Sequence, residues 1–154
     1  DEQKLPRIVS VQNPYSLVNR SYEVGMSEIS IREKSGLLAY SPLAAGYLTG
    51  KYRNNKIPKN SRMDLFYENY PRYHNQRTYD AVDEYFKIAQ KNKMSLTQLS
   101  QAFVNSRDFV TSNIIGATTM KQLKENIGSI NISLNQKIIE EINLIHENIP
   151  NPAP

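Results

Sequence analysis

The segment Tyr40–Tyr52 (YSPLAAGYLTGKY) has the residue types needed to hold a flat, negatively charged ligand. It begins with an aromatic ring and a hydroxyl, at Tyr40 and Ser41, and a proline follows. The small residues at 44–46 would let the backbone approach a phosphate closely, and Lys51 could supply a positive charge. By itself Tyr40 is more often a core aromatic residue, and Lys51 a solvated one. Only their combination favours a binding loop.

A second candidate anion site precedes a predicted helix near residue 120. Thr119 and Gln122 have the spacing of a capping box, which places the turn 116–119 at a helix N-terminus. Free amides and a partial positive charge at such an end attract anions. Gln122, Glu125 and Asn126 could then reach a base or a ribose. For this segment alone, a well-capped helix with its polar side in water is the better interpretation.

The elements that must position these residues are strands and helices in alternation. Residues 8–12 are a short β-branched run and predict a strand. Apolar residues at helical spacing predict a helix over 21–34, with Gly36 as its left-handed cap. Residues 37–40 are apolar without alternation, which is typical of a strand covered on both faces. A strand, a helix and a strand at this spacing predict a parallel pair.

The rest of the chain predicts a long loop, one more strand and four helices. The polar segment 53–75 has no sustained period, and an ordered loop of that length is usually functional. Residues 113–116 predict the third strand. The four helices are predicted to begin after Thr78, Ser95, Thr119 and Ser133, of which Ser95 forms a capping box with Gln98.

Composition excludes several classes of protein. The 154 residues carry a net charge of +4 with lysines scattered among acids, which disfavours a nucleic-acid partner. The absence of cysteine excludes disulfides and thiolate metal sites, and it fits a reducing, cytoplasmic compartment. No apolar run approaches the length of a membrane span. We therefore expect a globular α/β domain without metal, nucleic acid or membrane.

Four segments of the chain resemble the C-terminal half of an aldo-keto reductase. They are Gln12, the segment Tyr40–Tyr52, the pair Ser61-Arg62, and residues 114–127 (IIGATTMKQLKENI). The resemblance extends from about residue 8 to residue 145. Through residues 12–17 and the pair 19–20, the chain is most similar to the Tas-like reductases of the family, and it is also similar to potassium-channel β-subunits.

The resemblance implies the C-terminal portion of a TIM (β/α)8 barrel. About three parallel strands with surrounding helices would come from residues 1–154, and the N-terminal half of the barrel would lie outside this chain. Two sheet edges would then be open, and we expect the missing N-terminal half or a second copy to cover them.

The resemblance also implies an NADPH site. Tyr40 would stack on the nicotinamide, and Gln12 would hydrogen-bond to its carboxamide. Arg62, Thr118 and Gln122 would surround the 2′-phosphate; many relatives have arginine in place of Gln122, so Arg62 carries the expected preference for NADPH over NADH. The other implied cofactor-binding residues are Ser41, Leu43, Gly46 and Lys51 along the pyrophosphate, Glu125 and Asn126 at the adenine, and Pro42 in the same loop.

No catalytic residue is expected within this chain. The family's catalytic Asp, Tyr, Lys and His belong to the N-terminal half of the barrel. Neither His74 nor His146 matches the catalytic position, so both are predicted to be exposed or packing residues. The complete protein would reduce aldehydes or ketones to alcohols by hydride transfer. The alternatives are a channel-β-like regulatory subunit that binds NADPH, and a structural fragment without activity.

Overall fold

The computed structural model describes residues 5–154, which fold as a parallel sheet with helices against one face. The strands are β1 (Ser10–Pro14), β2 (Gly36–Tyr40) and β3 (Val110–Asn113), and their order in the sheet is β1-β2-β3. The α-helices are α1 (Met26–Glu33), α2 (Arg62–Phe66), α3 (Gln76–Lys91), α4 (Leu96–Asn105), α5 (Met120–Gly128) and α6 (Gln136–Asn148). Short 3₁₀ turns occur at Ser21–Glu23, Ala44–Thr49, Arg53–Asn55, Tyr67–Asn69, Pro71–Tyr73 and Ser129–Asn131. The α/β class and the parallel pair β1–β2 are therefore confirmed.

The two faces of the central strand β2 differ in burial. Leu37 and Ala39 are fully buried, whereas Leu38 and Tyr40 on the opposite face are only half-buried. On the buried side, Asn113 of β3 donates hydrogen bonds to Gln101 and Asn105 of α4, at 2.7 and 2.9 Å. β2 was predicted to be covered on both faces. Only the face of Leu37 and Ala39 is covered, because no second layer of the described residues packs on the face of Leu38 and Tyr40.

The third strand lies earlier in the chain than predicted. It spans Val110–Asn113 instead of 113–116, and Ile114 continues the ladder by donating to the carbonyl of Ala39 at 2.7 Å. The prediction placed the strand too late because Thr111 and Ser112 are polar, whereas the apolar residues Ile114 and Ile115 follow its last residue.

Gly36 is a strand residue, and its prediction as a helix cap was wrong. The left-handed residue after α1 is Lys34, with φ 53°. Gly36 instead begins β2, where a Cβ atom would lie 1.7 Å from Oγ1 of Thr111 on the neighbouring strand. The glycine therefore allows close approach of β2 and β3. The predicted helix over 21–34 is in fact a 3₁₀ turn followed by α1, and Ile29 on α1 is 51% exposed.

Two helices begin at asparagines instead of the predicted residues. Asn75 caps α3 by accepting from the amide of Thr78 at 2.9 Å, and Asn135 caps α6 in the same way. Thr78 lies inside α3 and is buried. The capping box of Ser95 at α4 is confirmed. The segment 53–75 is composed of α2 and short turns, without a long element. Within residues 5–154, no helix combines the length and apolar character needed to cross a membrane.

Candidate functional site

Gln12 and Tyr40 project from the same half-exposed face of the sheet. Gln12 pairs with Leu38 in register, and paired residues of neighbouring strands point to the same side. Tyr40 lies two residues beyond Leu38 and therefore shares that side. Gln12 is exposed and Tyr40 is half-buried. A carboxamide and an aromatic ring are thus placed near the carboxyl ends of adjacent parallel strands.

The loop after Tyr40 contains an unusual run of left-handed residues. Ser41, Ala44 and Ala45 have φ values of 56°, 48° and 55°, and Gly46 follows at 104°. Each such conformation in a residue other than glycine costs about 1–3 kcal/mol, and such residues cluster at ligand sites. Two internal hydrogen bonds hold the loop: the amide of Ala44 donates to Ser41 O at 2.9 Å, and that of Gly46 donates to Leu43 O at 2.8 Å.

Not all predicted loop residues face outward. Pro42 is buried, and Leu43 packs against the hydrophobic core. Ser41 is half-buried and lies close enough to Tyr73 to influence the pKa of that residue. Burial raises the pKa of Tyr73, and the neighbouring Arg72 and Ser41 partly oppose that effect. Because Pro42 is buried and Leu43 contacts the core, these two residues attach the loop to the interior of the protein.

Lys51 folds back over Gly46. A Cβ atom at Gly46 would lie 2.9 Å from Cε of Lys51 and 3.1 Å from its Nζ. The ammonium also lies 5.0 Å from the ring centre of Tyr52, within the range of a cation–π contact. A side chain at position 46 would displace the lysine, so Gly46 lets Lys51 place a positive charge against the strained backbone.

Arg62 is exposed on the first turn of α2. Its guanidinium lies 5.7 Å from the ring centre of Tyr70, and it forms no ion pair with any residue that the structure describes. Ser61, which precedes it, caps α2 by accepting from the amide of Asp64. The charge of Arg62 is therefore available to an anionic group.

Four predicted residues lie around the start of α5: two are exposed and bond to each other, and two bond to other parts of the fold. Thr118 and Gln122 are exposed, and Gln122 Oε1 accepts from the amide and the hydroxyl of Thr118 at 2.9 and 3.0 Å. Gln122 therefore does not complete the predicted box with Thr119, which caps α5 alone. Glu125 accepts from the hydroxyl of Ser95, and Asn126 is buried and donates to Gly116 O at 3.3 Å.

The structure brings the strand ends together but does not join all predicted residues. The loop before α5 begins at the carboxyl end of β3, beside the carboxyl end of β2 from which Ser41 follows. The amide of Ile114 donates to the carbonyl of Ala39 there. Across the described part of the chain, no hydrogen bond links Arg62 to Thr118 or Gln122. The predicted set therefore forms three groups: Gln12 and Tyr40 on the sheet face with the loop that carries Lys51, Arg62 on α2, and the α5 residues.

Two small cavities lie beside the loop, away from the predicted residues. Their volumes are about 170 and 180 Å³, and Tyr47, Tyr52, Asn55 and Tyr79 line both. Ligand pockets usually exceed roughly 300 Å³, so these cavities are small for a cofactor. No group of metal-ligating side chains occurs between residues 5 and 154. The candidate site is the open sheet face and its loop.

Comparison with known proteins places this geometry in context. The model of the Aldo/keto reductase family matches residues 1–147. "Protein tas" of Escherichia coli (strain K12) is 46% identical over 154 residues, which cover 100% of this chain and 44% of that protein. A "Probable voltage-gated potassium channel subunit beta" of Oryza sativa subsp. japonica is 36% identical over 121 residues, 75% of this chain and 36% of that protein.

A solved structure has the same fold. The glycerol dehydrogenase AKR11B4 from Gluconobacter oxydans superposes with a TM-score of 0.75 and 21% identity, covering 97% of this chain and 45% of that one. The chain thus spans under half the length of these three proteins, and its three parallel strands are part of a TIM barrel.

Proposed function

Because this chain belongs to the aldo/keto reductase family, we propose that the complete protein is an NADPH-dependent reductase of aldehydes or ketones. The observation that carries the proposal is the placement of Gln12 and Tyr40 on one face of the sheet, with the strained loop and Lys51 following Tyr40 in the chain. When bound, the nicotinamide supplies a hydride to a carbonyl carbon. The residues of this chain hold and orient the cofactor and take no part in proton transfer.

The residues of the open face fit the parts of such a cofactor. Tyr40 offers a ring for stacking, and the exposed carboxamide of Gln12 can both donate and accept a hydrogen bond. Ser41, Gly46 and Lys51 supply a hydroxyl, close access to the backbone and a positive charge for the pyrophosphate. Pro42 and Leu43 support the loop from the core side, which is a smaller role than direct contact.

Arg62 is the residue to which we assign the preference for NADPH over NADH. Its guanidinium can bind a phosphate bidentately, and the exposed Thr118 and Gln122 can add hydrogen bonds. Glu125 bonds α5 to α4, and Asn126 bonds α5 to the loop before it. We therefore assign these two residues an indirect role, in which they hold α5 in position beside the adenine.

Replacement of Gly46 tests the proposed site in the complete protein. We expect Gly46→Ala to weaken NADPH binding about tenfold, because the new Cβ displaces Lys51 and is strained at φ 104°. The matched control is Gly128→Ala, at φ −61° with no atom within 4 Å of the added Cβ. That control should leave the NADPH dissociation constant unchanged. Titration by isothermal calorimetry measures both variants.

The titration also separates the alternatives. Absence of NADPH binding in the wild type, or equal effects of the two glycine variants, would contradict the proposed site. Tight binding of NADPH without its oxidation by any of a panel of aldehydes and ketones would favour a regulatory subunit. The similarity to a potassium-channel β-subunit makes that the second candidate function.

A further inference from the structure

His74 is held at both ring nitrogens at the end of the segment 53–75. Its Nδ1 lies 2.7 Å from the hydroxyl of Tyr47, and its Nε2 lies 2.8 Å from the carbonyl oxygen of Tyr67. The imidazole also stacks on the ring of Tyr67, with centroids 3.7 Å apart and an angle of 7°. The prediction of a merely exposed or packing histidine understates this arrangement.

The partners of His74 determine its tautomer. A carbonyl oxygen only accepts, so Nε2 carries the hydrogen and donates to Tyr67. In the neutral ring Nδ1 is then an acceptor, and the hydroxyl of Tyr47 donates to it. Burial raises the pKa of Tyr47, which keeps that hydroxyl protonated. The contact is therefore directional and depends on both side chains.

Tyr47 connects this contact to the candidate site. It lies in the 3₁₀ turn Ala44–Thr49, one residue after Gly46, and its side chain is buried. Its ring packs against those of Tyr52 and Tyr73, with centroids 5.0 and 5.5 Å away. A displacement of Tyr47 therefore moves the backbone over which Lys51 lies.

We propose that His74 is a positioning residue for the loop 41–50. It fastens this loop to the segment 53–75, which carries Arg62. The proposal rests on the proposed function for its effect on NADPH, although the fastening itself is a property of the protein without ligand. His74 sets the arrangement of the loop 41–50 before the cofactor arrives, and such preorganisation lowers the cost of binding.

Variants of His74 and Tyr47 in the complete protein test this role. His74→Phe keeps the stacked ring and removes both hydrogen bonds, whereas His74→Asn keeps an acceptor near the position of Nδ1. We expect His74→Phe to raise amide hydrogen exchange of residues 44–50 in the ligand-free protein about tenfold. It should also raise the KM for NADPH about fivefold with little change in kcat, and His74→Asn should recover much of both effects.

A mutant cycle and a second histidine make the test specific. Tyr47→Phe removes only the contact to Nδ1 and should also raise exchange in residues 44–50. The double variant should be no worse than His74→Phe, because that contact is already lost in it. His146→Phe serves as the control on α6, and it should leave exchange in residues 44–50 unchanged.

The outcomes separate this proposal from the proposed function. If the amides of residues 44–50 exchange in His74→Phe at the wild-type rate, His74 does not fasten the loop. Additive effects of His74→Phe and Tyr47→Phe in the mutant cycle would overturn its role as well. If the wild type binds no nicotinamide nucleotide, the proposed function fails. The exchange measurement without ligand still decides whether His74 fastens the loop.

Discussion

At the scale of single residues, Arg20 and Glu23 form the most buried ion pair of the described part of the chain. The guanidinium of Arg20 donates two hydrogen bonds of 2.7 Å to the carboxylate, and a third of 2.9 Å to Asn143 on α6. The hydroxyl of Tyr15 also donates to Glu23. Burial opposes ionisation of Glu23, but the hydrogen bonds from Arg20 and Tyr15 lower its pKa below the usual range. The pair therefore couples stability to pH.

The sign of that coupling follows from the lowered pKa. The ionised carboxylate stabilises the fold above the unfolded pKa of about 4.3, and this contribution is lost as the pH falls through the folded pKa. We expect Glu23→Gln to lower the free energy of unfolding at pH 7 by about 3 kcal/mol, because Arg20 is left buried without its partner. The variant should also lose less stability than the wild type below pH ~4.5.

Urea denaturation between neutral and acid pH measures both effects. The control is Glu28→Gln, which removes an exposed pair with Arg32 and should change stability by less than about 1 kcal/mol. If the free energy of unfolding of Glu23→Gln falls with decreasing pH as steeply as that of the wild type, other carboxylates govern the acid sensitivity.

Residue types could be predicted better than residue contacts. The resemblance pointed to Gln12 and Tyr40, and the register of β1 with β2 places both on one face of the sheet, where one ligand could meet both. It could not show that Glu125 is bonded to Ser95, because that contact joins two helices 30 positions apart in the chain. Nor could spacing reveal that both nitrogens of His74 are engaged, since one of its partners is a backbone carbonyl.

At the scale of elements, α4 tests how much a helix cap contributes. Ser95 accepts from the amide of Gln98 at 3.0 Å, Gln98 accepts from the amide of Ser95 at 2.8 Å, and the serine hydroxyl donates to Glu125 on α5. We expect Ser95→Ala to lower the free energy of unfolding by about 1–2 kcal/mol, because it removes a cap and an interhelical contact. Ser133→Ala is the matched control, since Ser133 is exposed and α6 is capped by Asn135. Equal midpoints in urea would contradict this expectation.

The elements were predictable where the local chemistry was unambiguous. The complete box at Ser95 identified the start of α4, whereas Thr78 and Ser133 competed with asparagines three and two residues away that form the actual caps. Strand β3 was displaced in the prediction because its pairing with β2 depends on tertiary contacts more than on the hydrophobicity of its own residues.

At the scale of the whole molecule, β1 and β3 are the edges of the described sheet, and apolar side chains are exposed on the segments that precede or follow them in the chain. Val9, which precedes β1, is 77% exposed, and Ile29 on α1, between β1 and β2 in the chain, is 51% exposed. Met120 and Ile127 on α5, which follows β3, are 65% and 57% exposed. Open edges with adjacent apolar surface favour association. We propose that the upstream half of the barrel covers them in the complete protein.

The 154-residue chain expressed alone should therefore self-associate, because nothing between residues 5 and 154 covers the edge strands or the exposed apolar side chains. Co-expression with the upstream segment as a separate polypeptide should give a soluble one-to-one complex, since the same surfaces are then buried. Size-exclusion chromatography with light scattering distinguishes these states. Ile29→Asp, on α1, should weaken the complex, whereas Lys87→Asp on the exposed side of α3 should not. A monomeric isolated chain with cooperative unfolding would show that the open edges do not control its assembly.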